Sequence, residues 1–154
     1  MSETATTHQT QTETPAPQVW PSLRAYDARA LIRFLVDVVG FIETAVYSGD
    51  DGEVNHAELA WPPGGGVMLG SVRKGSAETS AVSPGSFAAY VVADDVDALH
   101  DRILAAGGNI TRPLEDMDYG SREFAITDPE GNRWSFGTYR GHPRPVPPNP
   151  TGSV

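Results

Sequence analysis

The segment Tyr90-Val91-Val92-Ala93-Asp94-Asp95-Val96-Asp97-Ala98-Leu99 passes from an alternating strand pattern into the start of a helix. Asp94 or Asp95 is suited to cap that helix, because a short acidic side chain accepts hydrogen bonds from the first unpaired backbone amides. Apolar residues then recur at helical spacing until Gly107 and Gly108 end the pattern. The segment therefore predicts a strand over 86–93 and a helix over 95–106.

A second segment, Ile126-Thr127-Asp128-Pro129-Glu130-Gly131-Asn132, predicts a tight turn between two strands. Asp, Pro, Gly and Asn are the residue types that turns favour, and alternating sequence flanks them on both sides. We expect strands over 121–127 and 133–139, preceded by another near 109–114. The second half of the chain is thus predicted to fold in the order β-α-β-β-β.

The first half shows the same order, with strands predicted over 19–26, 41–48, 54–61 and 67–73 and a helix over 27–39. A shift of the chain by 68 residues places Leu31 on Leu99 and Gly40 on Gly108, and a shift of 67 places Gly64 on Gly131. These identities fall on helix faces and turns, where structure restricts the residue type. We infer two modules, 19–73 and 86–140, joined by a linker over 74–85 that is rich in Gly, Ser and Ala.

The 154 residues suit a single domain, and 39% of them are hydrophobic, which is enough for one core. The predicted domain is flanked by two segments of low apolar content. Residues 1–18 are rich in Thr and residues 141–154 are rich in Pro. Such segments bury too little surface to offset the entropy of ordering, so we expect a disordered N-terminal tail and a flexible C-terminal tail.

Charge and residue content exclude several classes of protein. The net charge is −9, which disfavours binding to the phosphate backbone of nucleic acid. The chain contains no Cys, so disulfides, thiolate zinc sites and Cys nucleophiles are excluded. No apolar run approaches the ~20 residues of a membrane span, and the N-terminal residues lack the basic start of a signal peptide. We expect a cytoplasmic protein without nucleic acid or membrane partners.

The two segments and the duplicated order make residues 19–140 similar to the vicinal oxygen chelate superfamily. This group includes glyoxalase I, extradiol dioxygenases, fosfomycin-resistance enzymes and bleomycin-resistance proteins, and the stretch 54–59 resembles its PhnB-like branch. The resemblance implies an α+β fold in which tandem βαβββ modules form a curved, cup-shaped mixed sheet, with the helices outside and the site within. It also implies a homodimer, since members often complete the cup across two subunits.

Metal-dependent relatives take their ligands from the first and last strand of each module. Those positions fall at Trp20, Met68, Ala88 and Ser135 in this sequence, and none of them is His or Glu. The sequence therefore departs from the family where a metal would bind, and we expect no metal and no other cofactor.

Strand alternation predicts which side chains face the cup. Packing of Ala57 and Leu59 on the core turns His56 and Glu58 inward, and packing of Phe124 turns Glu123 inward. Together with the positions that the resemblance implies, the expected ligand-binding residues are Trp20, Ser22, Arg24, Glu58, Met68, Ala88, Tyr90, Ser135 and Tyr139.

We consider two functions of different classes. The first is a metal-independent protein of the bleomycin-resistance type that sequesters an aromatic or cationic compound among Trp and Tyr side chains. The net negative charge of the predicted domain would attract a cationic compound. The second is a glyoxalase-like lyase or isomerase that uses His56 and Glu123 as catalytic acid and base or as unconventional metal ligands. Alternatively, His56, Glu58 and Glu123 are solvated or paired with Arg24 or Arg122. A third possibility is a scaffold of two modules that acts through protein contacts.

Overall fold

Two four-stranded sheets, one from each half of the chain, make up the computed structural model, which describes residues 16–73 and 82–145. Their strand orders are β1-β4-β3-β2 and β5-β8-β7-β6, and in each sheet the first strand pairs in parallel with the last. The two sheets do not close on one another. The strand orders and the parallel pairing of the first and last strands confirm the predicted α+β fold of two βαβββ modules. The strands are β1 (Ser22–Ala25), β2 (Ile42–Ser48), β3 (Val54–Ala60), β4 (Gly66–Ser71), β5 (Ala88–Val92), β6 (Asn109–Asp116), β7 (Arg122–Thr127) and β8 (Arg133–Gly137).

The helices begin where the sequence predicts. Helix α1 (Ala28–Arg33) continues as a π-helical segment over Phe34–Val39, and α2 spans Val96–Ala105. The Asp27 carboxylate accepts a hydrogen bond from the Ala30 amide at 3.0 Å. Asp95, rather than Asp94, accepts from the Ala98 amide, also at 3.0 Å. Each cap accepts a hydrogen bond from one of the unpaired amides at a helix start, and its negative charge interacts favourably with the positive end of the helix dipole.

The internal repeat extends to the strand register. Ser22 pairs with Met68 in module one, and Tyr90 pairs with Ser135 in module two. These pairs are related by the same shifts, 68 and 67 residues, that align the two halves of the sequence. Met68 and Ser135, two of the positions implied by the resemblance, therefore occupy equivalent places in the two modules.

The two modules share one hydrophobic core, built from one face of each sheet and from the helices. The Phe41 ring lies 5.7 Å from Trp134, and the Trp61 ring lies 6.3 Å from Phe136, so aromatic side chains of both modules interlock. The Trp61 indole also donates a hydrogen bond to the Val92 carbonyl oxygen at 2.8 Å across the junction. Because the core uses one face of each sheet, the opposite faces stay open.

A buried polar network explains the Asp-Pro-Glu-Gly-Asn turn. Asp128 accepts hydrogen bonds from the backbone amides of Glu130 and Asn132, from the Asn132 side-chain amide and from the Trp134 indole, all at 2.9–3.0 Å. Asp128 is nearly inaccessible to solvent. The four donors satisfy a carboxylate that would otherwise be costly to bury.

The same turn ties module two to module one. The Glu130 carboxylate accepts hydrogen bonds from the backbone amides of Tyr26 at 3.1 Å and Asp27 at 2.7 Å, at the start of α1. A carboxylate at this place also interacts favourably with the helix dipole. The turn thus fixes how the modules sit against one another.

Several sequence predictions fall on parts of the chain that are not described. The predicted tails over 1–18 and 141–154, and the predicted linker over 74–85, lie largely outside the described residues, so their boundaries stay predictions. Neither helix within 16–73 and 82–145 is long or apolar enough to cross a membrane.

The Asp128 network yields a stability prediction. Replacing Asp128 by Ala leaves four donors without their acceptor, and we expect the free energy of unfolding to fall by about 2–4 kcal/mol. Urea unfolding followed by circular dichroism measures this change. Asp118→Ala is the matched control, because Asp118 is exposed, and it should change stability by less than about 0.5 kcal/mol. Equal effects of the two substitutions would contradict the role given to the network.

Candidate functional site

We call the sheet faces opposite the core the open faces of modules one and two. Cross-strand partners project to the same side of a sheet, so the register defines which residues share each face. In module one these are Ser22, Arg24, His56, Glu58 and Met68, and in module two they are Ala88, Tyr90, Arg112, Glu123, Ala125, Ser135 and Gly137.

The open face of module one carries a His and Glu pair. The Nε2 atom of His56 lies 3.0 Å from Oε1 of Glu58, and the two side chains are 40% and 32% exposed. The Tyr47 ring stacks on His56 with a centroid distance of 6.2 Å. Met68 pairs with Glu58 across β3 and β4. Tyr47 and Met68 thus flank the His56 and Glu58 side chains, which stay accessible to a ligand.

The open face of module two carries a nearly buried carboxylate. The Glu123 side chain is 5% exposed, and its two oxygens accept from the Tyr119 hydroxyl at 2.7 and 2.5 Å. Its nearest cation is Arg112, whose Nη2 atom lies 3.8 Å from Oε2.

The prediction that Arg24 or Arg122 pairs with these acids is wrong for Glu123. Arg122 instead contacts Asp97 at 2.9 Å and Asp116 at 3.2 Å. The hydrogen bond from Arg122 lowers the pKa of Asp97 below its usual value, because the guanidinium stabilises the charged carboxylate. The Arg122 side chain leaves the opposite face of β7 from the Glu123 carboxylate, since neighbouring residues of a strand point to opposite faces.

Three half-exposed tyrosines cluster beside Glu123. Tyr90, Tyr119 and Tyr139 are 43%, 56% and 42% exposed. The Tyr90 hydroxyl donates to the Tyr139 carbonyl oxygen at 2.8 Å, and the rings of Tyr119 and Tyr139 meet edge to face at 6.2 Å. Gly137 makes room for this arrangement, because a Cβ atom there would lie 2.5 Å from the Tyr90 hydroxyl and 2.7 Å from Cγ of Glu123.

Tyr119 is a contact residue that the sequence pattern does not reveal. It lies in the loop before β7, where a solvated position is the simplest prediction. The Met117 amide donates to the Ser121 carbonyl oxygen at 2.7 Å, which closes a turn that folds Tyr119 back onto Glu123. The four-residue separation of Tyr119 and Glu123 across a Gly-containing turn is the only signal in the sequence.

A cavity of about 480 Å³ opens between the β3–β4 hairpin and β5. Its wall is largely apolar and includes Tyr90, which also belongs to the open face of module two. Arg140 is its charged lining residue and forms an ion pair with Asp94. Trp61 and Trp134 look like ordinary core residues in the sequence, and the cavity cannot be seen there because it forms only where the modules meet. The apolar wall comes from Val19, Phe41, Trp61, Val67, Ala89, Val91, Val92 and Trp134.

The residues present do not fit a metal at the family positions. Met68, Ala88 and Ser135 offer no strong ligand, and the Trp20 indole donates to the Pro17 carbonyl oxygen at 3.1 Å. Within the described part of the chain, no group of three or more His, Asp or Glu residues is placed to hold a metal ion. His56 and Glu123, predicted as a catalytic pair, lie in different sheets, and each has a separate partner.

Comparison with known proteins identifies relatives over most of the chain. A family model described as the Glyoxalase/Bleomycin resistance protein/Dioxygenase superfamily matches residues 18–136. The uncharacterized protein Rv0887c of Mycobacterium tuberculosis is 32% identical over 139 residues, which cover 84% of this chain and 81% of that protein.

Two solved structures show the same architecture. TioX from Micromonospora sp. ML1 superposes with a TM-score of 0.63 at 31% identity, covering 75% of this chain and 93% of TioX. TnmS3, an antibiotic binding protein from Streptomyces sp. CB03234, superposes with a TM-score of 0.58 at 27% identity, covering 75% of this chain and 88% of TnmS3.

The contact between Tyr119 and Glu123 predicts an unusual titration. The hydrogen bond to the carboxylate stabilises the neutral phenol and raises the pKa of Tyr119 to about 12. The stability that this shift contributes is fully present below the ordinary tyrosine pKa of about 10 and is lost as the pH rises through 12. Following phenolate absorbance against pH, we expect Tyr119→Phe to remove one late-titrating group. Glu123→Gln should move that group towards an ordinary pKa, and an unchanged titration in both variants would contradict the assignment.

Proposed function

The chain belongs to the Glyoxalase/Bleomycin resistance protein/Dioxygenase superfamily, and on that basis we propose that it is a metal-independent small-molecule-binding protein. The observation that carries the proposal is the cavity of about 480 Å³ with its largely apolar, aromatic wall. Pockets of roughly 300–1,000 Å³ accommodate drug-sized ligands, which bind mainly through apolar contact. Similarity to an antibiotic binding protein, TnmS3, supports sequestration of an antibiotic-like compound.

The lining favours a planar aromatic ligand. Tyr90 is half-exposed and belongs both to the cavity and to the open face of module two, so a ring can stack on it from either side. Trp61 offers a second aromatic surface, since its indole is held in place by the Val92 carbonyl oxygen. Trp20, Ser22, Arg24, Met68, Ala88, Ser135 and Tyr139 stay proposed ligand contacts.

The proposed ligand needs a second copy of the chain to cover it. Tyr90 and Tyr139 are more than two-fifths exposed, and the two sheets do not close on one another. A ligand held on an open face would leave its other side in water. We propose that a homodimer completes each site, as the resemblance implies. The cytoplasmic location and the similarity to the PhnB-like branch stay predictions.

An enzyme is the second candidate, favoured by the contact of His56 and Glu58. A carboxylate 3.0 Å from an imidazole nitrogen orients the ring, as a general base requires. Native mass spectrometry after incubation with manganese, iron, nickel or zinc salts distinguishes the candidates. A stoichiometric adduct lost in His56→Ala or Glu123→Ala would favour a glyoxalase-like lyase or isomerase over the metal-independent protein.

Binding is tested by titrating planar aromatic compounds into the protein and following tryptophan fluorescence. Tyr90→Ala should weaken binding by about 1 kcal/mol, or roughly fivefold in Kd, because it removes one stacked ring. Tyr26→Ala is the matched control, since Tyr26 is 75% exposed and lies outside the cavity wall. A failure of planar compounds to bind, or equal losses in both variants, would contradict the proposal.

The homodimer is tested by size-exclusion chromatography with light scattering at micromolar concentration. We expect a particle of twice the chain mass of 16.4 kDa. A mass of one chain would show that a single copy must supply the whole site.

A further inference from the structure

The environment of Glu123 is unusual for a carboxylate that is 95% removed from water. An ionised carboxylate has about four acceptor positions, yet within the described residues its hydrogen-bond donor is the Tyr119 hydroxyl. Arg112 lies 3.8 Å away, which is beyond hydrogen-bond distance. The carboxylate therefore keeps much of its capacity to interact with a positive charge.

The surrounding charges do not cancel this negative site. The Arg112 guanidinium lies between two carboxylates, Glu115 and Glu123, each at 3.8 Å. In the described residues its Nε atom is shielded from solvent and makes no hydrogen bond. Two carboxylates opposite one guanidinium leave a net negative charge on this part of the open face, which attracts a cation.

Three tyrosines cluster next to the carboxylate, and one of them, Tyr119, donates its hydroxyl to it. Tyr90, Tyr119 and Tyr139 contact one another by a hydrogen bond and an edge-to-face contact, and each leaves roughly half of its surface exposed. The faces of aromatic rings attract cations, and several rings around one position form the cages that bind organic ammonium groups. The Glu123 carboxylate lies next to these rings, and its negative charge attracts the same cation.

We infer that the open face of module two binds a protonated amine, with Tyr90, Tyr119 and Tyr139 as the aromatic walls and Glu123 as the counter-charge. This inference rests on the proposed function, because it names the class of compound that the binding protein selects. Tyr90 joins the cage to the cavity, so the ligand is a planar apolar system with a cationic amino group attached. A neutral compound of the same shape gains the apolar contacts but not the electrostatic ones.

The test compares 2-naphthylmethylamine, whose amino group is protonated near neutral pH, with 2-naphthalenemethanol, its uncharged analogue of similar shape. We expect the full chain to bind the cation at least tenfold more tightly than the neutral compound by isothermal titration. Glu123→Gln should bring the two affinities within about twofold, because it removes the counter-charge and keeps the shape. Tyr119→Phe should preserve the preference, since it keeps the ring and releases the carboxylate.

Glu53→Gln is the matched control, because Glu53 is exposed in the loop before β3 and its loss changes the net charge by the same amount. This variant should keep the preference for the cation. An equal loss of preference in both Gln variants would show that overall charge is responsible and would overturn the cage. Circular dichroism establishes folding, and if Glu123→Gln does not fold, Tyr119→Leu replaces it, with the expectation of a loss of at least threefold for the cation alone.

The outcomes separate this inference from the proposed function. Equal binding of both compounds to the unaltered chain, or a preference unaffected by Glu123→Gln, would overturn the amine site and leave the binding function standing. A failure of both compounds to bind at millimolar concentration would overturn the binding function for planar ligands, and the amine site with it.

Discussion

Both modules bury the same side of their sheets in one shared core, and the rest of the structure depends on this constraint. The contact of Phe41 with Trp134 joins the two modules within that core. Neither four-stranded sheet could cover its apolar face alone, because a single sheet layer with one helix leaves much of that face in water. Burying these faces against each other stabilises both modules together. It also leaves the opposite faces and the seam between the modules open to a ligand.

The two modules reuse one scaffold for different chemistry. Their helix caps coincide, and so does the register of their parallel strand pairs, with Ser22 opposite Met68 and Tyr90 opposite Ser135. The open faces differ, because module one carries a half-exposed His and Glu pair while module two carries a buried carboxylate under tyrosines. The symmetric parts of the sequence thus maintain the fold, and the parts that break the symmetry carry the proposed binding chemistry.

The sequence predicts the elements well because their signals are local. Asp27 and Asp95 cap helices through amides three residues away, and the Asp128 turn satisfies its own donors within six residues. Strand alternation also places Glu123 correctly on the open face, opposite Gly137.

The predictions fail where contacts join distant parts of the chain or depend on side-chain reach. The register of β6 places Arg112, rather than Arg122, beside Glu123. The β6–β7 pairing has two irregularities, so simple strand alternation does not predict this contact. The cavity is another such case, because its walls come from both modules and Trp61 looks like an ordinary core residue in the sequence.

We propose that the seam and the open face around Tyr90 form the ligand site. Backbone amide NMR spectra recorded during a titration with 2-naphthylmethylamine test this proposal most directly, because each amide reports on its own surroundings. We expect shifts concentrated in 64–67, 89–92 and 137–140, which border the cavity and the three tyrosines. Shifts concentrated on the outer surfaces of α1 and α2, with those three stretches unchanged, would contradict it.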